Sequence, residues 1–166
     1  LSHGLLEREP TFRIKDPAVL LIGPWSWVYY HWISEDLTRL WVLDAFPELA
    51  DILLVVPGHL TTFQKDSLNA LGINDNRLLF FDGSNWQFDR LYIPSFLGSP
   101  NHSLHQIDWL RTKLMGVFNV QPRDRGNRRL YISRADTAAR RIINEKAVIS
   151  MLQHYDFEVI MPGKLP

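Results

Sequence analysis

The sequence of 166 residues contains no cysteine. This absence excludes a disulfide framework, a thiolate nucleophile and a thiolate metal site, and it is compatible with a reducing cytoplasm without requiring one. The sequence also lacks an excess of either charge, because 18 basic and 18 acidic residues cancel. Proteins that bind nucleic acid usually carry a clear excess of positive charge, so we expect no nucleic acid among the partners of this chain.

Long hydrophobic runs are missing as well. The most apolar stretch, from Val19 to Tyr30, is interrupted by Gly23, Pro24 and Ser26, and it is far shorter than the roughly 20 residues of a membrane span. The sequence contains no signal-peptide pattern, no Gly-x-Gly-x-x-Gly and no Gly-x-Ser-x-Gly. We therefore expect no membrane span, no dinucleotide cofactor and no hydrolase of the nucleophile-elbow type.

What is present is a hydrophobic content of 46%, which is enough for one well-buried core. Short apolar runs bounded by Pro and Gly alternate with segments of helical periodicity. The predicted strands cover residues 18–22, 51–56, 77–81, 90–93, 130–133 and 157–160, and the predicted helices cover residues 31–46, 62–71, 107–119 and 144–154. This alternation predicts the α/β class with Rossmann-like parallel sheets, in which helices cover both faces of each sheet.

The stretch 122–127 is polar and is broken by Pro122 and Gly126. It predicts a linker between a first domain, residues 1–121, and the start of a second, residues 128–166. The chain opens at Leu1 without an initiator methionine and closes directly after a predicted strand. We therefore expect both ends to be cuts through a longer protein.

The most informative segment covers residues 29–40. In an α-helix His31, Glu35 and Arg39 would share one face, because residues four apart are surface neighbours. Histidine titrates near neutral pH and is the usual general base once a partner fixes its tautomer, a role open to Glu35. Asp36 lies roughly 100° around the helix and is a reserve candidate for the base. Spacing alone leaves open that these residues are surface ion pairs beside a core histidine.

This segment resembles the signature of glycosyltransferase family 61, aromatic-Tyr-His-Trp-x-x-Asp-x-Leu-Pro-Arg-Leu. The matching residues are Tyr30, His31, Trp32, Leu37, Arg39 and Leu40. Glu35 replaces the family's Asp, and Thr38 replaces the Pro of many bacterial members. A second, separate resemblance covers a strand ending in Ser133-Arg134, an Arg-x-x-Asn helix start and a strand usually introduced by Tyr-Gly-Phe-Glu, where Asp156 replaces Gly.

The resemblance implies an inverting glycosyltransferase that moves a sugar from a nucleotide-sugar donor to a glycan or other hydroxyl acceptor, in bacterial surface or capsular polysaccharide synthesis. It implies the GT-B architecture of two facing Rossmann-like halves. Residues 1–121 would form the acceptor-side half, and residues 128–166 would open the donor-side half. Family members continue into a helix and a Gly-x-His-Gly type loop, so we expect this fragment alone to be inactive.

The resemblance also implies site residues. The catalytic candidates are His31, Glu35, Asp36 and Arg39, and the candidates for binding the donor phosphates are Arg134, Arg141 and Asn144. Asn144 is more simply explained as a helix cap, and Arg141 as part of a solvated charge run. Because His102-x-x-His105 lacks a nearby third ligand, we expect no metal ion.

Two further questions stay open at this point. A non-catalytic domain of the same kind, binding carbohydrate or a protein partner, is the alternative to the enzyme. Most of the aromatic residues Trp25, Trp27, Tyr29 and Tyr30 are interpreted as completing the core, with stacking on sugar rings as the alternative. We expect a cytoplasmic protein, and leave peripheral membrane association and homo-oligomers open.

Overall fold

The computed structural model describes residues 9–95, 103–121, 127–138 and 140–164. The chain divides into two units, Leu1–Gln121 and Pro122–Pro166. Of the predicted linker, only Asn127 belongs to the described residues. None of the described helices is both long and apolar enough to cross a membrane.

The first unit is built on parallel strands. They are β1 (Phe12–Ile14), β2 (Ala18–Leu20), β3 (Leu53–Pro57), β4 (Leu78–Phe81), β5 (Trp86–Phe88) and β6 (Leu91–Tyr92). Four of them form a parallel sheet in the order β4-β3-β2-β6, and β1 pairs with β5. The strand order reverses beside β2, because β3 and β4 follow on one side and β6 on the other. Open α/β sheets bind ligands outside the carboxyl ends of strands at such a reversal.

Four α-helices belong to the described part of this unit. They are α1 (Tyr29–His31), α2 (Trp41–Ala45), α3 (Thr62–Ala70) and α4 (Leu104–Val117). Helix α3 starts where predicted, since the Gln64 side chain accepts a hydrogen bond from the Thr61 backbone N–H. It is followed by Gly72, whose φ of 79° is the left-handed conformation that glycine adopts at no steric cost. The predicted stop of this helix at Gly72 is therefore confirmed.

The core lies between the helices and the sheet. Trp32, Leu37 and Leu40 are buried in one cluster with Val19 and Leu54 of the sheet. Burial of each such side chain contributes about 1.5–3 kcal/mol. These three apolar side chains thus attach the segment 32–40 to the strands.

The prediction of one regular α-helix from residue 31 to 46 is wrong. Between α1 and α2 the chain forms a π-helical turn, Trp32–Asp36, and a 3-10 turn, Leu37–Leu40. The Ser34 hydroxyl donates to the Tyr30 carbonyl at 2.7 Å, and the Thr38 hydroxyl contacts the Ser34 and Glu35 carbonyls at 3.1 Å. Such hydroxyls satisfy carbonyls that an irregular helix leaves poorly paired. Periodicity alone carries no sign of these local bonds.

The second unit is a βαβ motif. Strand β7 (Arg129–Ile132) is followed by α5 (Glu145–Gln153) and by β8 (Phe157–Ile160), which pairs in parallel with β7. These elements confirm the predicted order. Asp156 has a φ of 60°, the left-handed conformation, which explains why the matching position of the resembled signature carries Gly. Parallel pairing in both units confirms the α/β class.

Candidate functional site

His31 and Glu35 lie side by side at the start of the irregular helix. Nδ1 of His31 is 2.8 Å from Oε1 of Glu35, although the N–H is not aligned as in a good hydrogen bond. The Glu35 side chain is 3% exposed and that of His31 is 27% exposed. Nδ1 of His31 is itself buried, so the exposed fraction of the side chain belongs to its other atoms. The buried carboxylate of Glu35 therefore lies beside a histidine that is partly accessible from outside.

Asp36 and Arg39 form a second pair, which is fully buried. Nη1 of Arg39 lies 4.0 Å from Oδ1 of Asp36 and donates to the Ile22 carbonyl at 3.0 Å. Burial raises the pKa of Asp36 to about 6, against the opposing influence of the Ser26 hydroxyl and Arg39. Burial also lowers the pKa of Arg39. Glu35, Asp36 and Arg39 are all buried, so the alternative that they form surface ion pairs is wrong.

The loop from Ile22 to Val28, here called the aromatic loop, connects β2 to α1. Within it the Gly23 N–H donates to the Ser26 hydroxyl at 2.8 Å, and that hydroxyl contacts the Gly23 carbonyl at 3.0 Å. Gln64 of α3 donates to the Ser26 carbonyl at 2.8 Å. A Cβ at Gly23 would lie only 2.7 Å from Oδ1 of Asp36. Buried groups on three sides thus fix this loop.

Aromatic rings of this region are exposed. Trp25, Trp27, Tyr29 and Tyr30 are each more than half exposed, so the interpretation that most of them complete the core is wrong. The Trp25 ring lies 6.3 Å from the His31 ring and 5.3 Å from the Trp27 ring, measured between centroids. The Tyr30 ring lies edge-on to the His31 ring at 5.3 Å. His31 is therefore adjacent to two of the exposed aromatic rings.

Beside the aromatic loop lies a cleft of about 340 Å³, at the carboxyl ends of β2, β3 and β4. Its lining residues come from the aromatic loop, from the turn after β3, from α3 and from the turn after β4: Ile22, Gly23, Ser26, Trp27, Pro57, Gly58, His59, Gln64, Phe81, Asp82 and Gly83. Sequence reasoning did not find this cleft. The usable signal was the pair of turns, Pro57-Gly58 and Asp82-Gly83, each directly after an apolar strand.

The predicted donor-binding residues belong to the second unit, in the segment between β7 and the start of α5. Arg134 and Arg141 are exposed, and Nε of Arg141 donates to the Thr137 carbonyl. Asn144 occupies the N-cap position of α5 but makes no capping bond through its side chain. The predicted position of the cap is therefore right, and its predicted side-chain bond is absent.

Glu145 was missed by sequence reasoning. Its carboxylate accepts hydrogen bonds from the Ser133 hydroxyl at 2.8 Å, the Tyr131 hydroxyl at 3.0 Å and the Arg134 backbone N–H at 3.3 Å. These donors lower the pKa of Glu145, with Ser133 contributing most. They are therefore already used by a carboxylate, so a phosphate in this segment would be met by arginine side chains. An acidic residue in the first turn of a predicted helix was the available signal.

The described ranges offer no metal centre. Within them, no cluster of three or more His, Cys, Asp or Glu side chains could hold a metal ion. His102, half of the pair considered for a metal, lies outside those ranges.

The sequence model of the family described as Glycosyltransferase 61 matches residues 29–166. No curated protein and no solved structure matches the chain. The matched range includes both the His31–Glu35 pair and the segment from Arg134 to Asn144.

Proposed function

Because the chain belongs to the glycosyltransferase 61 family, we propose that it forms part of an inverting enzyme that uses a nucleotide-sugar donor. Membership of the family indicates glycosyl transfer from a donor to an acceptor. The proposed acceptor group is a hydroxyl of a glycan or of another molecule. We place this chemistry in a GT-B architecture, with the acceptor on the first unit and the donor on the second.

The observation that carries the proposal is the pairing of a partly exposed His31 with the buried carboxylate of Glu35. In the proposed step Nε2 of His31 takes the proton of the acceptor hydroxyl. The hydroxyl oxygen forms a bond to the anomeric carbon while the bond from that carbon to the phosphate oxygen breaks. The nucleoside diphosphate leaves with the electron pair, and Glu35 stabilises the imidazolium that results.

On the donor side, the proposed contacts to the leaving diphosphate are made by Arg134 and Arg141. Guanidinium groups meet phosphate oxygens in pairs of parallel hydrogen bonds, which suits a leaving group that gains negative charge. Asn144 is the third proposed contact and would donate through its amide. Since protein cations supply the charge, the proposed reaction uses no metal ion and no cofactor besides the donor.

The proposed setting is bacterial surface or capsular polysaccharide synthesis in the cytoplasm. The resemblance of the His31 segment and of the Arg134–Asn144 segment to family 61 is what supports it. Peripheral association with a membrane would be compatible with this setting.

The test is nucleoside diphosphate release by the full-length protein with a panel of nucleotide sugars and hydroxyl acceptors. Replacement of His31 by Gln should lower kcat about 100-fold, because a general base contributes at least that much. His154→Gln is the matched control, since His154 is an exposed histidine of the second unit that contacts the Ser150 carbonyl. A loss below tenfold in a folded His31→Gln protein would show that His31 is not the base.

The second candidate is a non-catalytic domain that binds carbohydrate. It is favoured by the exposed rings of Trp25, Trp27, Tyr29 and Tyr30, which would serve binding equally well. Two of these rings, Trp25 and Tyr30, lie next to His31. Glycan binding by the full-length protein without any nucleoside diphosphate release would support this candidate over the enzyme.

A further inference from the structure

We propose that the acceptor is an oligosaccharide that lies along a track from His31, across Trp25 and Trp27, into the cleft between the turns after β3 and β4. This inference rests on the proposed function, because it assigns the acceptor class of that site. The inference goes beyond the proposed function because it requires an acceptor of at least two sugar rings. It also names the residues that hold the sugar ring remote from the reaction.

The first support is that two large apolar rings are exposed to solvent instead of being buried in the core. Trp27 is 66% exposed and Trp25 is 53% exposed. Aromatic faces attract the C–H-rich faces of sugars, and they offer a large contact area with few rotatable bonds to restrict. Two adjacent indoles beside a histidine thus form a surface suited to rings that carry both apolar faces and hydroxyl edges.

The second support is the chemistry of the cleft. Among the described residues, the titratable groups that line the cleft are His59 and Asp82, and no described lysine or arginine belongs to the lining. The described lining therefore offers no permanent cation to an anionic ligand, whereas the Asp82 carboxylate can accept hydrogen bonds from the hydroxyls of a neutral sugar. Oδ1 of Asp82 accepts from the Ser84 N–H at 2.9 Å, the Ser84 hydroxyl at 2.6 Å and Nε1 of Trp86 at 3.0 Å. The carboxylate is therefore held in a fixed orientation.

Glycines shape the same cleft. A Cβ at Gly58 would lie 2.5 Å from the backbone oxygen of Phe81, so the two turns approach as closely as they do because Gly58 has no side chain. Gly83 has a φ of 84°, which glycine tolerates. The resulting space of about 340 Å³ is within the range of small-molecule sites, which is about 300–1,000 Å³.

The third support is continuity. Trp27 belongs both to the wall of the cleft and to the row of rings that leads through Trp25 to His31. Neighbouring rings along this row are 6.3 Å and 5.3 Å apart between centroids, so each ring contacts the next. A single sugar with its hydroxyl at His31 would leave Trp27 and the cleft unused, so the row fits a chain of rings.

The track is also preorganised. The Ile22 carbonyl is held by Arg39, the Ser26 carbonyl by Gln64, and the Gly23 backbone by Ser26. A loop that is already ordered loses less conformational entropy on binding, and this increases affinity. Asp36 and Arg39 act in this account as positioning residues for the aromatic loop.

The experiment is a binding assay of the full-length protein on an array of neutral mono- to hexasaccharides. We expect binding to glycans of two or more rings and weaker or no binding to their constituent monosaccharides. Trp27→Ala should weaken binding at least about fivefold, as expected for loss of an aromatic stacking contact. Trp27→Phe, which keeps a ring, should restore most of it.

Phe118→Ala is the matched control, because Phe118 is an aromatic residue of the same unit that is 64% exposed, at the end of α4. It should bind as the unchanged protein does, and thermal unfolding of each variant establishes that it is folded. Three results would each overturn the track: no glycan is bound, monosaccharides bind as tightly as longer glycans, or Trp27→Ala binds normally.

Parallel measurement of nucleoside diphosphate release by the unchanged protein separates this inference from the proposed function. Release without glycan binding would leave the transferase standing and overturn the track. Glycan binding that depends on Trp27, with no release from any nucleotide sugar, would support the track and overturn the transferase.

Discussion

Asp36 has a carboxylate that is almost completely buried, and the Ser26 hydroxyl and Arg39 only partly offset the effect of that burial on its pKa. Its nearest cation, on Arg39, is 4.0 Å away and also donates to the Ile22 carbonyl. A buried charge without strong partners destabilises the fold. The charged form of Asp36 therefore lowers the stability of the fold, while its carboxylate lies beside Gly23 and Ser26 of the aromatic loop.

Replacement of Asp36 by Asn should remove a pH dependence of stability. The folded-state pKa is raised from 3.8 to about 6, so between these values the folded state binds more protons than the unfolded state. The contribution of this group to the free energy of unfolding is therefore greatest below pH 4 and falls as pH rises through 6. The fall is on the order of 2–3 kcal/mol, and Asp36→Asn should lack it.

The measurement is urea unfolding at pH 4.5 and pH 7 for both proteins. His31, Glu35 and Arg39 face the same group and are unchanged in the variant, so the comparison of the two proteins tests Asp36 itself. If the free energy of unfolding changes equally with pH in both proteins, Asp36 does not carry a raised pKa in the folded state.

One contact among these residues was predictable from the sequence, but their burial was not. The His31–Glu35 contact follows from the i, i+4 spacing, and it survives the π-helical turn in which Glu35 lies. The burial of Glu35 and Asp36 could not be predicted, because it depends on what packs against the helix. The spacing of charged residues along a helix predicts which of them are neighbours. Whether they are exposed to solvent depends on the elements that pack against the helix.

Among the structural elements, the turns after β3 and β4 set the geometry of the cleft. Gly58 lies where the backbone of one turn meets the Phe81 carbonyl of the other, at a distance that leaves no room for a Cβ. Gly116, by contrast, lies in α4. Apart from its chain neighbours and the backbone of its own helix, no heavy atom of the described residues lies within 4 Å of the position that a Cβ would take there. Replacement by alanine should therefore have opposite effects on stability at these two positions.

Gly58→Ala should destabilise the protein by about 1–3 kcal/mol, because the new methyl group forces the two turns apart. Gly116→Ala should stabilise it by about 0.5–1 kcal/mol, because alanine favours a helix interior more than glycine does. Urea unfolding of both variants at one pH provides the comparison. Stabilisation by Gly58→Ala would show that the turns do not meet as the structure describes.

The whole molecule separates its candidate chemistry into two units. His31 and its neighbours belong to Leu1–Gln121, and Arg134, Arg141 and Asn144 belong to Pro122–Pro166. If the proposed division between acceptor and donor is right, substitutions in the two units should affect different kinetic parameters.

Arg134→Ala should raise the KM for the nucleotide sugar about tenfold, as expected for the loss of a charge-assisted contact to phosphate. The KM for the acceptor should stay unchanged. Lys146→Ala is the control, since Lys146 is a cation of the same unit. An equal effect of Arg134→Ala on both KM values would contradict a dedicated donor contact.

Removal of divalent ions tests the proposed source of positive charge in the full-length protein. Since Arg134 and Arg141 are proposed to meet the leaving diphosphate, transfer should continue at an unchanged rate after treatment with EDTA. A loss of activity that Mg²⁺ or Mn²⁺ restores would show that a metal ion shares this role.

The sequence by itself determined the α/β class and the family, because these depend on periodicity and on motifs that are local in the chain. It predicted the strands of the four-stranded sheet and of the βαβ motif, but it missed β1 and β5, whose pairing joins segments distant in sequence. It also determined the contact between His31 and Glu35, which lie within one helical turn. Only the tertiary structure decided that Asp36 and Arg39 are buried, that four aromatic rings are exposed, and that two turns enclose a cleft beside Trp27. Those features depend on contacts between residues distant in sequence, such as Gly58 with Phe81 and Gln64 with Ser26, which no local pattern encodes.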